Sequence, residues 1–312
     1  MALNLKEQKY ISKYAHNKNT DWFSRAGYGL FFHVLPEPDE FDDFQKNFDA
    51  EKLAKQCYEC GAAYVFFTVG QNSGLINVPS RVYERYSGKP ELCCTRDLVD
   101  ELYAALSEYN IKLMLYVPAD APKNDIEVAK GFGCMERNPE YTKDWIITEE
   151  FEARWCEFLE ELSKRYKDKI YGWWVDGFYE WSGCDNNTAM MYSKALKSGN
   201  ENAIVAFNGG VNSYFYPSEY DDYLPGEWGE FMTPVCDGRW INQIQWHELS
   251  FISEFWGRGE LMLTADQIAE QIKSVSGNGG VISIDLPMEK NLSQIRNDAY
   301  ELMKKVKQKV RE

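Results

Sequence analysis

No apolar run in the 312-residue chain approaches the roughly 18 residues of a membrane span, and the N-terminal stretch MALNLKEQKYISKYAHNKN lacks the hydrophobic centre of a secretory leader. A cytoplasmic location with no membrane partner is expected on that ground. Basic charge is scarce: 34 Lys and Arg stand against 49 Asp and Glu, a net charge of −15. Without a basic stripe, phosphates cannot be neutralised, and nucleic acid is excluded as a partner. Histidine is rarer still, and His16, His33 and His247 are too scattered to suggest a metal cluster. Eight cysteines are too few for a disulfide scaffold at this length and are expected as thiols. Cys57 and Cys60 form a CxxC, but it sits inside a helical pattern with no second pair, and buried thiols are the better reading. The first predicted strand lacks a following GxGxxG, and the glycines of Gly277 to Gly280 follow a helix instead of preceding one, the reverse of a phosphate cradle.

What is present is apolar and aromatic. With 44% hydrophobic and 15% aromatic residues the chain can bury a sizeable core. Short apolar runs alternate with longer amphipathic ones. Strands are predicted at Gly27 to Val34, Ala63 to Val69, Ile111 to Val117, Ile170 to Val175, Ala203 to Phe207 and Val281 to Ile284. Helices are predicted at Asp49 to Cys60, Arg96 to Asn110, Thr148 to Tyr166, Thr188 to Lys197, from Thr264 onward, and at Ser293 to Val310. Thr264 and Gln267 have the spacing of a capping box. Residues from Asn208 to Glu260 are irregular, with short strands expected near Phe231 to Thr233 and Leu249 to Ile252. No Pro/Gly/Ser linker divides the chain, and about eight strand–helix units fit it. The expectation is one α/β domain over residues 1–312, a single (β/α)₈ TIM-like barrel, in preference to a doubly wound open sheet.

A barrel of this kind carries its chemistry at the C-terminal ends of its strands. The polar residues ending the apolar runs are His33, Gln71 with Asn72, Asp120, Asp176, Asn208 and Asp285. Asp176 follows Trp173, Trp174 and Val175 directly, where a carboxylate either caps the next helix or meets a ligand. Nearby Phe178, Tyr179 and Trp181 offer apolar walls of the kind that sugar-ring faces pack on. Retaining glycoside cleavage needs two carboxyl groups, one a nucleophile and one a protonated acid. The later segment DDYLPGEWGEFMTP offers Glu227 and Glu230 among aromatics, Trp228 included, whose burial would raise a carboxyl pKa.

Six segments in order, WFSRAGYGLFFH, FDAEKLAKQCYECGAAYVFFTVGQNSGL, RDLVDELYAALSEYNIKLMLY, YGWWVDGFY, DYLPGEW and TADQIAEQIKSVSGNGGVISIDLP, resemble the catalytic barrel of the alpha-L-fucosidases, retaining exo-glycosidases. The resemblance implies Asp176 as nucleophile, with Trp174 lining the sugar pocket and His33 as a sugar-binding histidine. It implies Glu227, five residues after Asp222, as the acid/base, with Glu230 in reserve, and Tyr116 near the sugar. Two departures stand out. Where the family usually has Lys-His-His-Asp-Gly, this chain has Gly70-Gln71-Asn72-Ser73-Gly74, and where it has Asn-Asp-Arg, the chain has Asn208-Gly209-Gly210. The implied consequence is a changed glycone preference with the reaction type kept. No C-terminal β-sandwich of the kind many fucosidases carry is expected.

These readings lead to a glycosidase that removes a terminal neutral sugar, fucose or a related glycone, by double displacement. Asp176 attacks, Glu227 supplies and recovers the proton, and His33, Gln71, Asn72 and Trp174 position the ring, with no metal and no organic cofactor required. The alternatives are a catalytically silent carbohydrate-binding barrel and an enzyme of another reaction type on the same scaffold. A homo-oligomer is expected from the exposed aromatics.

Overall fold

Seven of the apolar runs form strands: β1 (Tyr28–Phe32), β2 (Tyr64–Thr68), β3 (Lys112–Pro118), β4 (Ile170–Asp176), β5 (Ile204–Phe207), β6 (His247–Phe251) and β7 (Val281–Asp285). The structure is a computed structural model that describes residues 8–122, 124–136 and 145–311; the first part of the N-terminal stretch read for a leader lies outside them. All seven strands pair in parallel, in the order β6-β7-β1-β2-β3-β4-β5. The main helices between and after them are α1 (Ala50–Cys60), α2 (Leu98–Ser107), α3 (Glu149–Tyr166), α4 (Asn186–Leu196), α5 (Ala265–Gly277) and α6 (Asn297–Arg311). No helix among the described residues is long and apolar enough to cross a membrane.

Local chemistry sets these boundaries. Asp49 caps α1 by accepting from the Lys52 N–H, and Thr148 caps α3 by accepting from that of Phe151. Thr264 and Gln267 form the expected reciprocal capping box at the start of α5. The helix expected from Ser293 begins at Asn297, and short helices at Phe41–Asn47, Arg81–Ser87 and Ile126–Gly131 occupy stretches that carry too few turns for a periodic signal. Cys57 and Cys60 are buried free thiols on α1.

Strand side chains alternate between two apolar clusters. Leu30, Phe32, Val65, Phe67, Leu113, Leu115, Trp173 and Val175 join the cluster that includes the helices. Their neighbours Phe31, Phe66, Met114, Tyr116, Trp174 and Leu249 pack into a second cluster with Phe23 and Tyr223. Burial on both faces explains why these strands read as continuous apolar runs.

Among the described residues no eighth strand joins this sheet. Between the edge strands β5 and β6 lies the irregular segment 221–228. On one side the Asp222 N–H donates to the Val205 carbonyl (2.8 Å) and the Phe207 N–H to Asp221 Oδ1 (2.7 Å). On the other, the Leu249 N–H donates to the Gly226 carbonyl (2.7 Å) and the Trp228 N–H to the Leu249 carbonyl (2.9 Å). Gly226 has φ +63°, and a Cβ there would lie 2.0 Å from the His247 carbonyl oxygen, so only glycine fits this close approach. The strand expected at Phe231 to Thr233 is likewise not formed; both residues are buried by their side chains without entering a ladder.

Buried carboxyls pin this segment. Asp222 accepts from the Val205 N–H and from Lys197 Nζ (2.7 Å). Glu248 on β6 accepts from Tyr214 Oη, Thr233 Oγ1 and Trp246 Nε1, drawing the 208–246 stretch against the sheet. Burial pushes the Glu248 carboxyl from 4.5 up to about 7, against the pull of those hydrogen bonds. The folded chain therefore holds this proton more tightly than the unfolded one. Its contribution to stability is complete below about pH 4.5 and is lost as the pH rises through 7. Melting scans from pH 5 to 8 are expected to show stability falling as pH rises. Glu248→Gln, which cannot ionise, should remove up to roughly 3 kcal/mol of that fall. A decline as steep in the variant as in the parent would refute this assignment.

Candidate active site

The alternation that sorts the core also aims the site. Trp174 points into the second cluster, and Asp176, two residues on, shares its face at the last position of β4. By the same parity His33 follows Phe31 beyond the end of β1, and Asp285 closes β7. Gln71, Asn208 and Glu227 come from the segments after β2, after β5 and within 221–228. They meet at a cavity of about 490 Å³ lined by His33, Gln71, Trp174, Asp176, Glu227 and, from a hairpin after β6, Trp256 and Arg258, among others.

Asn208 is the hub. Its Nδ2 donates to Asp176 Oδ1 (2.9 Å) and also to Glu227 Oε2. One nitrogen bonded to both holds those two carboxylate oxygens within about 5.5 Å of each other. The other oxygen of Asp176 accepts from Tyr116 Oη (2.6 Å), which in turn accepts from Gln71 Nε2 (2.6 Å). Burial, with the adjacent Asp176 charge, holds the Tyr116 phenol well above its usual range, so it stays a donor. Trp174 Nε1 donates to the Pro225 carbonyl (3.0 Å), tying the Glu227 segment to β4.

The electrostatics separate the groups. Burial first, and the nearby Asp176 charge second, push the Glu227 carboxyl up to about 7, while the Asn208 hydrogen bond and His33 pull the other way. For His33 burial opposes the charged form, but the charge and hydrogen bond of Asp285 outweigh it, aided by Asp176 and Glu227, and the pKa is raised. Asp285 Oδ1 pairs with His33 Nδ1 (2.7 Å), which leaves Nε2 for the cavity.

The residues expected from the sequence are not all brought together. His33, Gln71, Trp174, Asp176 and Glu227 line the cavity, and Tyr116 and Asn208 bond directly to its carboxylates. Glu230 is exposed, outside the lining, because the chain turns outward after Trp228. Trp228 is buried on the opposite side of Glu227, against Tyr214 (ring centroids 5.1 Å). Asn72 lies in a turn whose carbonyl accepts from the Asn124 N–H (3.0 Å) and does not line the cavity. Trp173 faces the helices. Conversely, Phe255, Trp256 and Arg258 reach the cavity from a stretch with no clear periodicity, where only the glycines of WGRG between two short alternating runs mark a hairpin. Among the described residues no three His, Cys, Asp or Glu side chains converge to hold a metal ion.

The family model of the alpha-L-fucosidases matches residues 38–306. The chain belongs to the alpha-L-fucosidase family. The resemblance read from its six ordered segments is therefore shown. No curated protein sequence matches this fucosidase-family chain. Among solved structures, an endo-fucoidan hydrolase of glycoside hydrolase family 107 superposes with a TM-score of 0.72 at 17% identity, over 95% of this chain and 54% of its own. A GH29 alpha-L-fucosidase from Bacteroides thetaiotaomicron, trapped as a covalent intermediate, gives 0.65 at 18% identity, over 99% of this chain and 77% of its own. The alpha-L-fucosidase AlfC from Lactobacillus casei, in complex with alpha-L-fucose, gives 0.64 at 16% identity, over 95% and 99%. The chain spans 54% of the length of that fucoidan hydrolase and 92% of that of another, P5AFcnA. These likenesses extend to the fold.

Proposed function

We propose that this fucosidase-family protein is a retaining glycoside hydrolase that removes a terminal, neutral, fucose-type sugar, with the whole barrel acting as one catalytic domain. The observation that carries the reading is the Asn208 amide bridging Asp176 and Glu227 in one cavity. A retaining pair holds its carboxyls about 5–5.5 Å apart, closer than the roughly 6.5–9.5 Å of inverting enzymes, and a single amide bridging both carboxylates favours the shorter spacing. The covalent intermediate trapped in the Bacteroides thetaiotaomicron fucosidase supports the same two-step course.

In the first step an Asp176 oxygen bonds to the anomeric carbon as the bond to the leaving oxygen breaks. The Glu227 proton passes to that oxygen. In the second, Glu227 takes a proton from water while the water oxygen displaces Asp176, which leaves the enzyme as it began. Tyr116 and Asn208 hold the nucleophile by one bond to each of its oxygens. A Glu227 carboxyl at about 7 is suited to give and take a proton near neutrality. Trp174 supplies an apolar face, and His33 and Gln71 supply polar contacts for ring hydroxyls.

The test is turnover of a panel of aryl glycosides, fucosides first, with the anomer formed first followed by NMR. Fucoside hydrolysis with retention is expected. An inverted first product would overturn double displacement, and saccharide binding without turnover of any glycoside would favour the silent binding barrel.

A further inference from the structure

The hairpin that walls the cavity, Ser253–Phe255 and Arg258–Leu261, takes no part in the two-step chemistry. It is nevertheless firmly held. The Gly257 N–H donates to Asp285 Oδ2, the same carboxylate that orients His33, and Trp256 packs edge-on against the His33 ring (5.7 Å). From outside, Arg296 Nη1 donates to the Gly259 carbonyl (2.8 Å). A strand pair anchored on both sides of its turn presents Phe255, Trp256 and Arg258 to the cavity in a set geometry.

Arg258 is the arginine that lines this cavity. Arg85, Arg96, Arg154, Arg165, Arg239 and Arg296 each meet a carboxylate, and Arg25, Arg81 and Arg311, which form no ion pair among the described residues, lie outside the cavity lining. Arg258 has Glu254 and Glu260 on its own hairpin, yet among the described residues it forms no ion pair and no hydrogen bond. Its guanidinium lies over the Phe255 ring, 4.7 Å from the centroid, an arrangement that orients the planar fork while leaving its N–H donors unused. It does not bond to Asp176 or Glu227, whose partners are Tyr116 and Asn208.

The cavity is thus divided by charge. The reacting sugar sits against two carboxylates, where an anionic substituent would be repelled. Beyond it stand a half-exposed phenylalanine, a tryptophan and an unneutralised guanidinium, an apolar surface for a ring face with a charged fork beside it. Building on the hydrolase reading above, we propose that the hairpin is the subsite for the sugar next to the scissile bond. Arg258 there binds an anionic substituent on that sugar, a sulfate ester or a carboxylate.

Three disaccharides ending in fucose test this, their second sugar neutral, O-sulfated or a uronic acid. Calorimetry on the full chain carrying Asp176→Ala, which prevents turnover, should show an anionic member binding at least about ten-fold more tightly than the neutral one at low salt. The gain should shrink as salt is added. Adding Arg258→Gln should abolish it, and because Arg258 is exposed a melting scan should be unchanged. A gain confined to the sulfated or to the uronic disaccharide supports the subsite and names the group it takes. Equal affinity for charged and neutral members, or an equal loss on all three in Arg258→Gln, overturns the subsite. If none of the three binds, the subsite falls; the hydrolase reading stands or falls separately, on whether the parent chain turns over aryl fucosides.

Discussion

Replacing Asp176 with glycine is expected to lower kcat on an aryl fucoside by about 10⁴-fold or more, since it removes the carboxylate proposed to form the bond to the anomeric carbon. Tyr116 and Asn208, which bond to Asp176 in the parent, would be left pointing into the space the carboxylate vacates. A small anion can occupy that space. Added azide should restore turnover and yield a glycosyl azide of inverted configuration, because the rescuing anion completes only one of the two displacements. The product is identified by NMR and the rate by release of the aryl alcohol. Hydrolysis unimpaired in Asp176→Gly would sink the nucleophile assignment.

The second large effect concerns the proton. Glu227→Ala should slow substrates with poor leaving groups by about 10²–10⁴-fold and leave activated aryl glycosides much less affected in the first step, since a good leaving group departs without protonation. The pH profile gives an independent reading. Burial and the neighbouring Asp176 charge hold the Glu227 carboxyl near 7, so the acid form required for the first step is depleted as the pH rises beyond that value. The alkaline limb of kcat/KM should therefore begin near 7 in the parent and flatten in Glu227→Ala. If Glu230→Ala, altering an exposed residue, produced the leaving-group dependence instead, the acid would have to reach the cavity by a rearrangement of the 228–231 turn.

The parts legible in the sequence are those governed by local pattern. Buried parallel strands with helices on their outer side leave continuous apolar runs, so β1 to β5 and β7 stand out, and a polar residue ending such a run is already placed at the functional end of the sheet. Asp176, His33 and Asn208 were accessible in that way. In the region from 208 to 260 only β6 stands out, overlapping the strand expected near Leu249 to Ile252. The order of the rest comes from long-range bonds to buried carboxyls, those of Asp221, Asp222 and Glu248, and these leave no periodic trace. Glu227 could be picked from its aromatic setting and the family-like spacing, but Trp228 follows it and turns the other way. Proximity in sequence also misled for Asn72, one residue beyond Gln71, because a turn reverses the chain between them and the next helix. The hairpin residues Trp256 and Arg258 needed the tertiary contact with Asp285 to be recognised at all.

Asn208 has one further effect. Its amide donates to Glu227 Oε2, and an oxygen that is already accepting that hydrogen is a poor place for the acid's own proton. That bond favours Oε1 as the seat of the proton. In the proposed double displacement, the departing oxygen of the first half-reaction and the incoming water of the second then meet the same atom of the same carboxyl, along one line of approach, and the outward and return journeys of the proton are mirror images of each other.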